Sequence, residues 1–317
     1  MKIERVDNEV VDNNLMKIYL NRQQINGPWG GGAHFINAFY KFAPDHGIQM
    51  ITASNIAPDV IVVAGLDADN NGVSAESAIL YKSMMSSQNK DVKIVLRVNE
   101  NDARKGTNYI DDYLLSLAPH FDGTVWVSHW LKSYFEQKGW STKNSCVIHN
   151  GVDSDIFKPY EKLNNGRLNI VAHHWSDNPL KGFDIYEKID EFVGQHNNKF
   201  GFTYIGRHRG TFKNTNLVRP LSGAKLGEEL GRHDVYVSAS RFDPGPNHIS
   251  EAISCGLPTY VCDEGGGCVE FAGVDHSYSD WDVLQKILFD GNFTLNSTSF
   301  TSWSECINKY VKFINEI

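Results

Sequence analysis

Residues Val235 to Phe271 read VYVSASRFDPGPNHISEAISCGLPTYVCDEGGGCVEF. An apolar run, Val235–Ser238, leads into a turn-rich loop with Asp243-Pro244-Gly245, then a helix-period segment, His248–Cys255. A second apolar run, Pro258–Val261, ends just before three consecutive glycines, Gly265–Gly267. Short apolar runs bounded by Gly and Pro and separated by a helix are the pattern of parallel strands covered by helices. In folds of that kind ligands bind beyond the carboxyl ends of the strands, and Asp243, Glu251 and Gly266 all follow strands there.

The alternation extends outward from this block over nearly the whole chain, which predicts an α/β protein. Strands Leu168–Ala172 and Phe200–Ile205 with helices Phe183–Val193 and Lys225–Arg232 complete one Rossmann-like unit around the quoted segment. A second unit precedes it, with strands Met16–Leu20, Val60–Ala64, Val92–Val98, Gly123–Val127 and Cys146–His149. Its helices are Ala33–Phe42, Ser74–Met85, Asn108–Leu117 and His129–Lys138. The polar stretch Phe157–Arg167 (FKPYEKLNNGR) has neither period, so we place the linker there and the domain boundary near residue 160. Two domains, 1–160 and 161–300, suit a chain of 317 residues, since one core rarely organises so many. In residues 301–317, Ile307, Tyr310, Val311, Phe313 and Ile314 fall on one face of a closing helix.

With 30 Lys and Arg against 38 Asp and Glu, a net charge of −8 shared equally by the two halves, neither half is a basic nucleic-acid or anionic-membrane binder. The longest apolar run, Val60 to Leu66, is far below the roughly 20 residues of a membrane helix, which leaves only peripheral membrane contact open. A charged start, MKIERVDNEVVDNN, and five scattered cysteines (Cys146, Cys255, Cys262, Cys268 and Cys306) without a CxxC predict a cytoplasmic protein with reduced thiols. Asn26–His34 (NGPWGGGAH) lies between a strand and a helix, where small residues serve equally a tight turn and a phosphate or substrate loop. Asp67-Ala68-Asp69 has the spacing of a metal-binding Asp-x-Asp but reads best as a solvated turn, so no metal site is assigned.

The block 235–271 resembles, almost position for position, the S-x-x-E-x7-E-A-x-x-x-G-x-P and G-G-x-x-E block of retaining, nucleotide-sugar-dependent glycosyltransferases with the GT-B fold. Glu251-Ala252, Gly256, Pro258, Gly266, Gly267 and Glu270 fall in place, and Asp243 stands where the family has its first glutamate. Residues 125–159, with VIHNGVD followed by FKP, resemble the end of that family's first domain, and Lys181-Gly182 matches its Lys-Gly. The companion arginine is missing from HHWSDNPLKG, which leaves His174 or Arg207 to replace it.

The resemblance implies two Rossmann-like domains facing across a cleft, with the closing helix returning to the first. It implies transfer of a sugar from a nucleotide diphosphate sugar to a sugar or glycan hydroxyl, with retention and with no metal or other cofactor. Lys181 would hold the diphosphate, with Arg207 or His174; Glu251 would hold the ribose; Asp243 and the loop Gly265, Gly266, Gly267 to Glu270 would meet the sugar. The amides of the helix beginning at His248 offer further phosphate donors. Gly30, Gly31 and Gly32 would close from the acceptor side, where Asn99, Glu100 and Asp102 are candidates with a capping role as the alternative. A nucleotide-sugar epimerase or hydrolase, or a silent binding protein, would share these features, because fold does not fix function.

Overall fold

A computed structural model describes residues 15–25, 27, 30–52, 56–67 and 72–317. The first half contains β1 (Met16–Leu20), α1 (Gly31–Phe42), β2 (Ile48–Met50), β3 (Val60–Val63), α2 (Ala75–Ser87) and β4 (Lys93–Val98). It continues with α3 (Asp102–Lys105), α4 (Ile110–Leu117), β5 (Gly123–Trp126), α5 (His129–Glu136) and β6 (Ser145–Val147). The second half has β7 (Leu168–His174), α6 (Phe183–Gln195), β8 (Phe200–Gly206), β9 (Asn216–Val218), α7 (Gly223–Gly231) and β10 (Val235–Ser238). Then come α8 (Asn247–Ser254), β11 (Thr259–Cys262), α9 (Gly267–Ala272), β12 (Ser277–Tyr278), α10 (Trp281–Asp290) and α11 (Trp303–Glu316).

The strands form two six-stranded parallel sheets, ordered β2-β1-β3-β4-β5-β6 and β12-β11-β10-β7-β8-β9. Parallel strands covered on both faces read as unbroken apolar runs, and Val60–Val63 is buried at every position. Alternate side chains divide between the two faces. Ile18, Val60, Val62 and Val95 pack with Phe35 and Phe39 of α1 and with Ile307, Tyr310 and Ile314 of α11. Ile61, Val63, Ile94 and Leu96 pack on the other face with Ala78 of α2, Leu114 of α4 and Phe135 of α5. In the second sheet Ile170, Tyr204 and Val237 meet α6 and α10, while Val171, Tyr236 and Val261 meet α7, α8 and α9.

α11 begins with a reciprocal Ser302/Glu305 capping box and buries Cys306, Ile307, Tyr310, Val311, Phe313 and Ile314 against the first sheet. The expected return of the closing helix is thus present. The stretch 157–167 is neither helix nor strand. Where the chain leaves the first sheet and where it comes back, the two crossings touch: Val152 donates its N–H to Thr301 and forms a bridge with Ser302. Strands β2, β9 and β12 and helices α3, α9 and α10 were not anticipated from sequence.

Candidate donor and acceptor cleft

A cavity of about 590 Å³ opens between the carboxyl ends of the two sheets. In the second sheet the strand order reverses between β7 and β10, the switch point at which ligands of doubly wound sheets bind. His173 and His174 end β7, and Lys181 follows in a single 3₁₀ turn, Pro179–Lys181. Asp243 follows β10 and Glu251 lies on α8. All five line the cavity and all five are buried.

Asp243 is the centre of a charge cluster. Lys181 Nζ lies 3.1 Å and Arg104 Nη2 3.3 Å from Asp243 Oδ2. Arg104 belongs to α3 in the first half of the chain, and its Nη1 donates to the carbonyls of Leu180 and Arg241 in the second. Burial on its own would push the Asp243 carboxyl up, but Lys181 and Arg104 hold it well below the carboxylate range. Lys181 is drawn below the ordinary lysine range by burial, with Asp243 opposing and Arg104 assisting. Two cations share one anion, so the cluster carries a surplus positive charge facing the cavity.

Asp243 is positioned by the glycine loop beneath it. Its N–H donates to Gly265 O and its carbonyl accepts from Gly267 N–H, a bridge that leaves Phe242 in the left-handed region at φ 53°. Such strain persists only where neighbouring structure overdetermines it. Glu251 uses Oε2 to pair with His173 Nε2 at 2.9 Å, while Oε1 faces His34 Nδ1 of α1 at 3.8 Å. Beside it Asn247 accepts from Asn150 at 2.7 Å, and Asn150 in turn accepts from buried Arg97 at 2.8 Å, so polar contacts run across the cleft.

No family model and no curated protein matches the chain. Solved structures do. HepE from Anabaena, in complex with UDP and glucose, superposes with a TM-score of 0.67 over 95% of this chain and 100% of its own, at 13% identity. Sucrose-phosphate synthase from Thermosynechococcus elongatus gives 0.69 over 95% and 98%, at 12% identity. WaaG, a glycosyltransferase involved in lipopolysaccharide biosynthesis, gives 0.60 over 94% and 95%, also at 12%.

The chain has the GT-B fold.

Within this GT-B cleft the residues singled out from sequence separate into two sets. Lys181, Asp243, Glu251, His174, His248, Gly30, Gly31, Gly32, Asn99 and Glu100 line the cavity. A Cβ on Gly30 would stand 2.4 Å from Trp175, and one on Gly31 would stand 3.1 Å from Asn247, so bare glycines let the second half of the chain approach α1 closely. Asn26, Pro28 and Trp29 of the same loop lie outside the described residues, as does Asp69 of the Asp-x-Asp.

The other set is placed differently. Arg207 is exposed beside the Trp175 ring and does not line the cavity; His174 does line it, but as a buried imidazole bonded to Tyr186 at 2.8 Å. Burial, then Lys181 and His248, push His174 well below the ordinary histidine range, so it is neutral at pH 7 and cannot stand in for an arginine. The cation beside Lys181 is Arg104, which sequence reading missed. The Gly265–Gly267 amides do not reach the cavity, because the loop is spent on bridging Asp243. Glu270 turns away from it and accepts from the N–H groups of His129 and Trp130, at the start of α5. Asp102 accepts from Thr107, Tyr109, Ile110 and Asp111, a capping role that keeps it from the cleft.

Asp243, His248 and Cys268 present potential metal-ligand atoms within 4.8 Å of one another. Lys181 and Arg104 already press on Asp243, and burial holds the Cys268 thiol well above its usual range, so this set is hostile to a divalent ion.

His248 resembles His174: burial first, then Lys181, hold it well below the ordinary range, and its Nε2 lies 2.9 Å from Ser238 Oγ. The unfolded chain takes up protons on these two histidines near about pH 6.5 and the folded chain does not. Their contribution to stability is therefore intact above that pH and is lost as pH falls below it. Urea midpoints should decline steadily from pH 7 to pH 5. A flat profile would show that both histidines take up protons in the fold as readily as in the unfolded chain.

Proposed function

We propose that the chain is a glycosyltransferase that moves a sugar from a nucleotide diphosphate sugar to an acceptor hydroxyl, with retention and without a metal. The observation that carries this reading is the convergence of Lys181 and Arg104 on Asp243 at the switch point of the second sheet. Glycosyl transfer develops positive charge on the sugar and negative charge on the leaving diphosphate, so fixed cations at the leaving group and an anion near the sugar serve it without a nucleophile. In this reading Lys181 and Arg104 hold the diphosphate and Asp243 faces the sugar. Glu251 offers Oε1 to the ribose, its other oxygen being held by His173. Gly30–Gly32, Asn99 and Glu100 form the acceptor side.

UDP is the first nucleotide to test, because HepE is described with UDP and with UDP-glucose. We assign domains 1–160 and 161–300, with 301–317 completing the first. Five free cysteines suit a reducing cytoplasm. Among the described residues no helix is long and apolar enough to cross a membrane.

The test is a mass-spectrometric screen of nucleotide sugars in excess EDTA, with and without pools of glycan acceptors. Conversion only with acceptor, at a product anomeric configuration matching the donor, is expected. Conversion without acceptor would instead mean an epimerase or hydrolase, and binding without conversion a silent protein. On the same preparation, Arg104→Ala and Lys181→Ala should each weaken UDP binding by about 1.5–3 kcal/mol, the scale of a hydrogen bond to a charged group, and leave uridine binding unchanged. Equal losses for uridine and UDP in calorimetric titrations would remove both residues from the diphosphate site.

A further inference from the structure

We propose that His129, His149 and Glu270 form a site for a divalent transition-metal ion that ties the two halves of the molecule together beside the cleft. Each residue offers one ligand atom, and the three atoms lie within 4.8 Å of one another. His129 opens α5 and His149 follows β6, both in the first half of the chain, whereas Glu270 comes from α9 in the second. None of the three lines the cavity, so the site is separate from the one assigned to sugar transfer.

The arrangement is prepared in three respects. Glu270 is fixed by N–H groups at both oxygens: His129 N donates to Oε1 at 3.0 Å and Trp130 N donates to Oε2 at 2.8 Å. Such outer contacts orient a ligating carboxylate and are half of a working metal site. The His149 ring is wedged between Phe271 at 4.8 Å and His129 at 6.0 Å, with Nε2 already 2.6 Å from Glu270 Oε1. Among the described ion pairs Glu270 meets only His149, in contrast to Asp243 with Lys181 and Arg104.

Two imidazoles and one carboxylate, with a fourth position open to water on the side of exposed His129, are a donor set that suits Zn²⁺ and neighbouring transition metals better than Mg²⁺. Bond lengths near 2.1 Å put tetrahedral ligand atoms about 3.4 Å apart. The His149–Glu270 pair would open slightly to admit the ion, and the His129 ring would swing inward. α5 and α9 already pack together, which holds His129 and Glu270 side by side.

The experiment uses the full chain, freed of metal with EDTA and dialysed, then titrated with ZnCl₂ against a chromophoric chelator in millimolar MgCl₂. One Zn²⁺ per chain is expected, with a thermal midpoint that rises as Zn²⁺ is added, because an ion bound only to the folded state stabilises it. Glu270→Gln and His149→Ala should each bind Zn²⁺ about 10-fold more weakly or worse. His129→Ala leaves the His149–Glu270 contact in place and should lose affinity to a similar degree without losing the fold. His120→Ala, an exposed histidine elsewhere, should bind as wild type. Failure of the wild-type chain to bind one equivalent, or wild-type affinity in His129→Ala and Glu270→Gln, overturns the site.

Discussion

Asp243→Asn should lower the unfolding free energy of the unliganded chain by about 3–5 kcal/mol, because it leaves two buried cations without their anion. The same change should tighten the binding of UDP. On the roles proposed above, the diphosphate would share Lys181 and Arg104 with a carboxylate that is ionised at any working pH. With the carboxylate gone, the diphosphate becomes the only counter-charge available, and a gain of about 1.5–3 kcal/mol is expected. Turnover should nevertheless fall about 100-fold or more, since the charge proposed to face the developing oxocarbenium is lost. Denaturation with and without UDP, calorimetric titration and steady-state kinetics check the three parts. A variant as stable as wild type with unaltered UDP affinity would show that the three charges are not coupled. Wild-type Asp243 contributes its stability above about pH 3.8 and loses it as pH falls through its depressed native value; the Asn variant should lack that acid transition.

A second large effect belongs to a glycine. Gly182 sits at φ 83°, and a Cβ there would stand 2.1 Å from the Ala239 carbonyl oxygen, a backbone atom with nowhere to retreat between β10 and the Asp243 loop. Gly182→Ala should cost about 2–4 kcal/mol, part left-handed strain and part displacement of the turn. Because Lys181 is the preceding residue, the displacement draws its Nζ from Asp243 and should weaken UDP binding as well. Gly139→Ala is the control: its φ is 94° but nothing lies within 4 Å of the added Cβ, so only the smaller strain term should appear. Equal thermal midpoints for the two variants would count against the close contact at Gly182.

The long apolar strands and the amphipathic helices that cover them were readable because burial on two faces leaves a dense apolar pattern, as in Lys93–Val98 and Phe183–Gln195. β9, whose three residues lie largely outside the core, and the two-residue β12 carry too little pattern to read. Helix α10 does carry local signals, Asp280 as N-cap and Gly291 as C-cap, but buries only Leu284 and Leu288. At the site, residues delivered by local motifs (Lys181, Asp243, Glu251 and His248) gather as the order of the second sheet requires. Arg104 does not follow from any local motif: it reaches Asp243 only because α3 docks on loops lying 76 and 137 residues further along the chain. Glu270 and Asp102 show the converse, since carboxylates near helix starts satisfy N–H groups as readily as ligands.

The packing of α11 on the first sheet has a consequence for biosynthesis. The second sheet is built wholly from residues 168–278, whereas the first-sheet core needs Ile307, Tyr310 and Ile314 from beyond it. As the chain emerges during translation, the earlier half waits with one sheet face covered by α1 alone while the later half gathers every strand it needs. The segment made first therefore finishes last, and until residues 303–316 arrive its exposed apolar surface is open to chaperones and to aggregation.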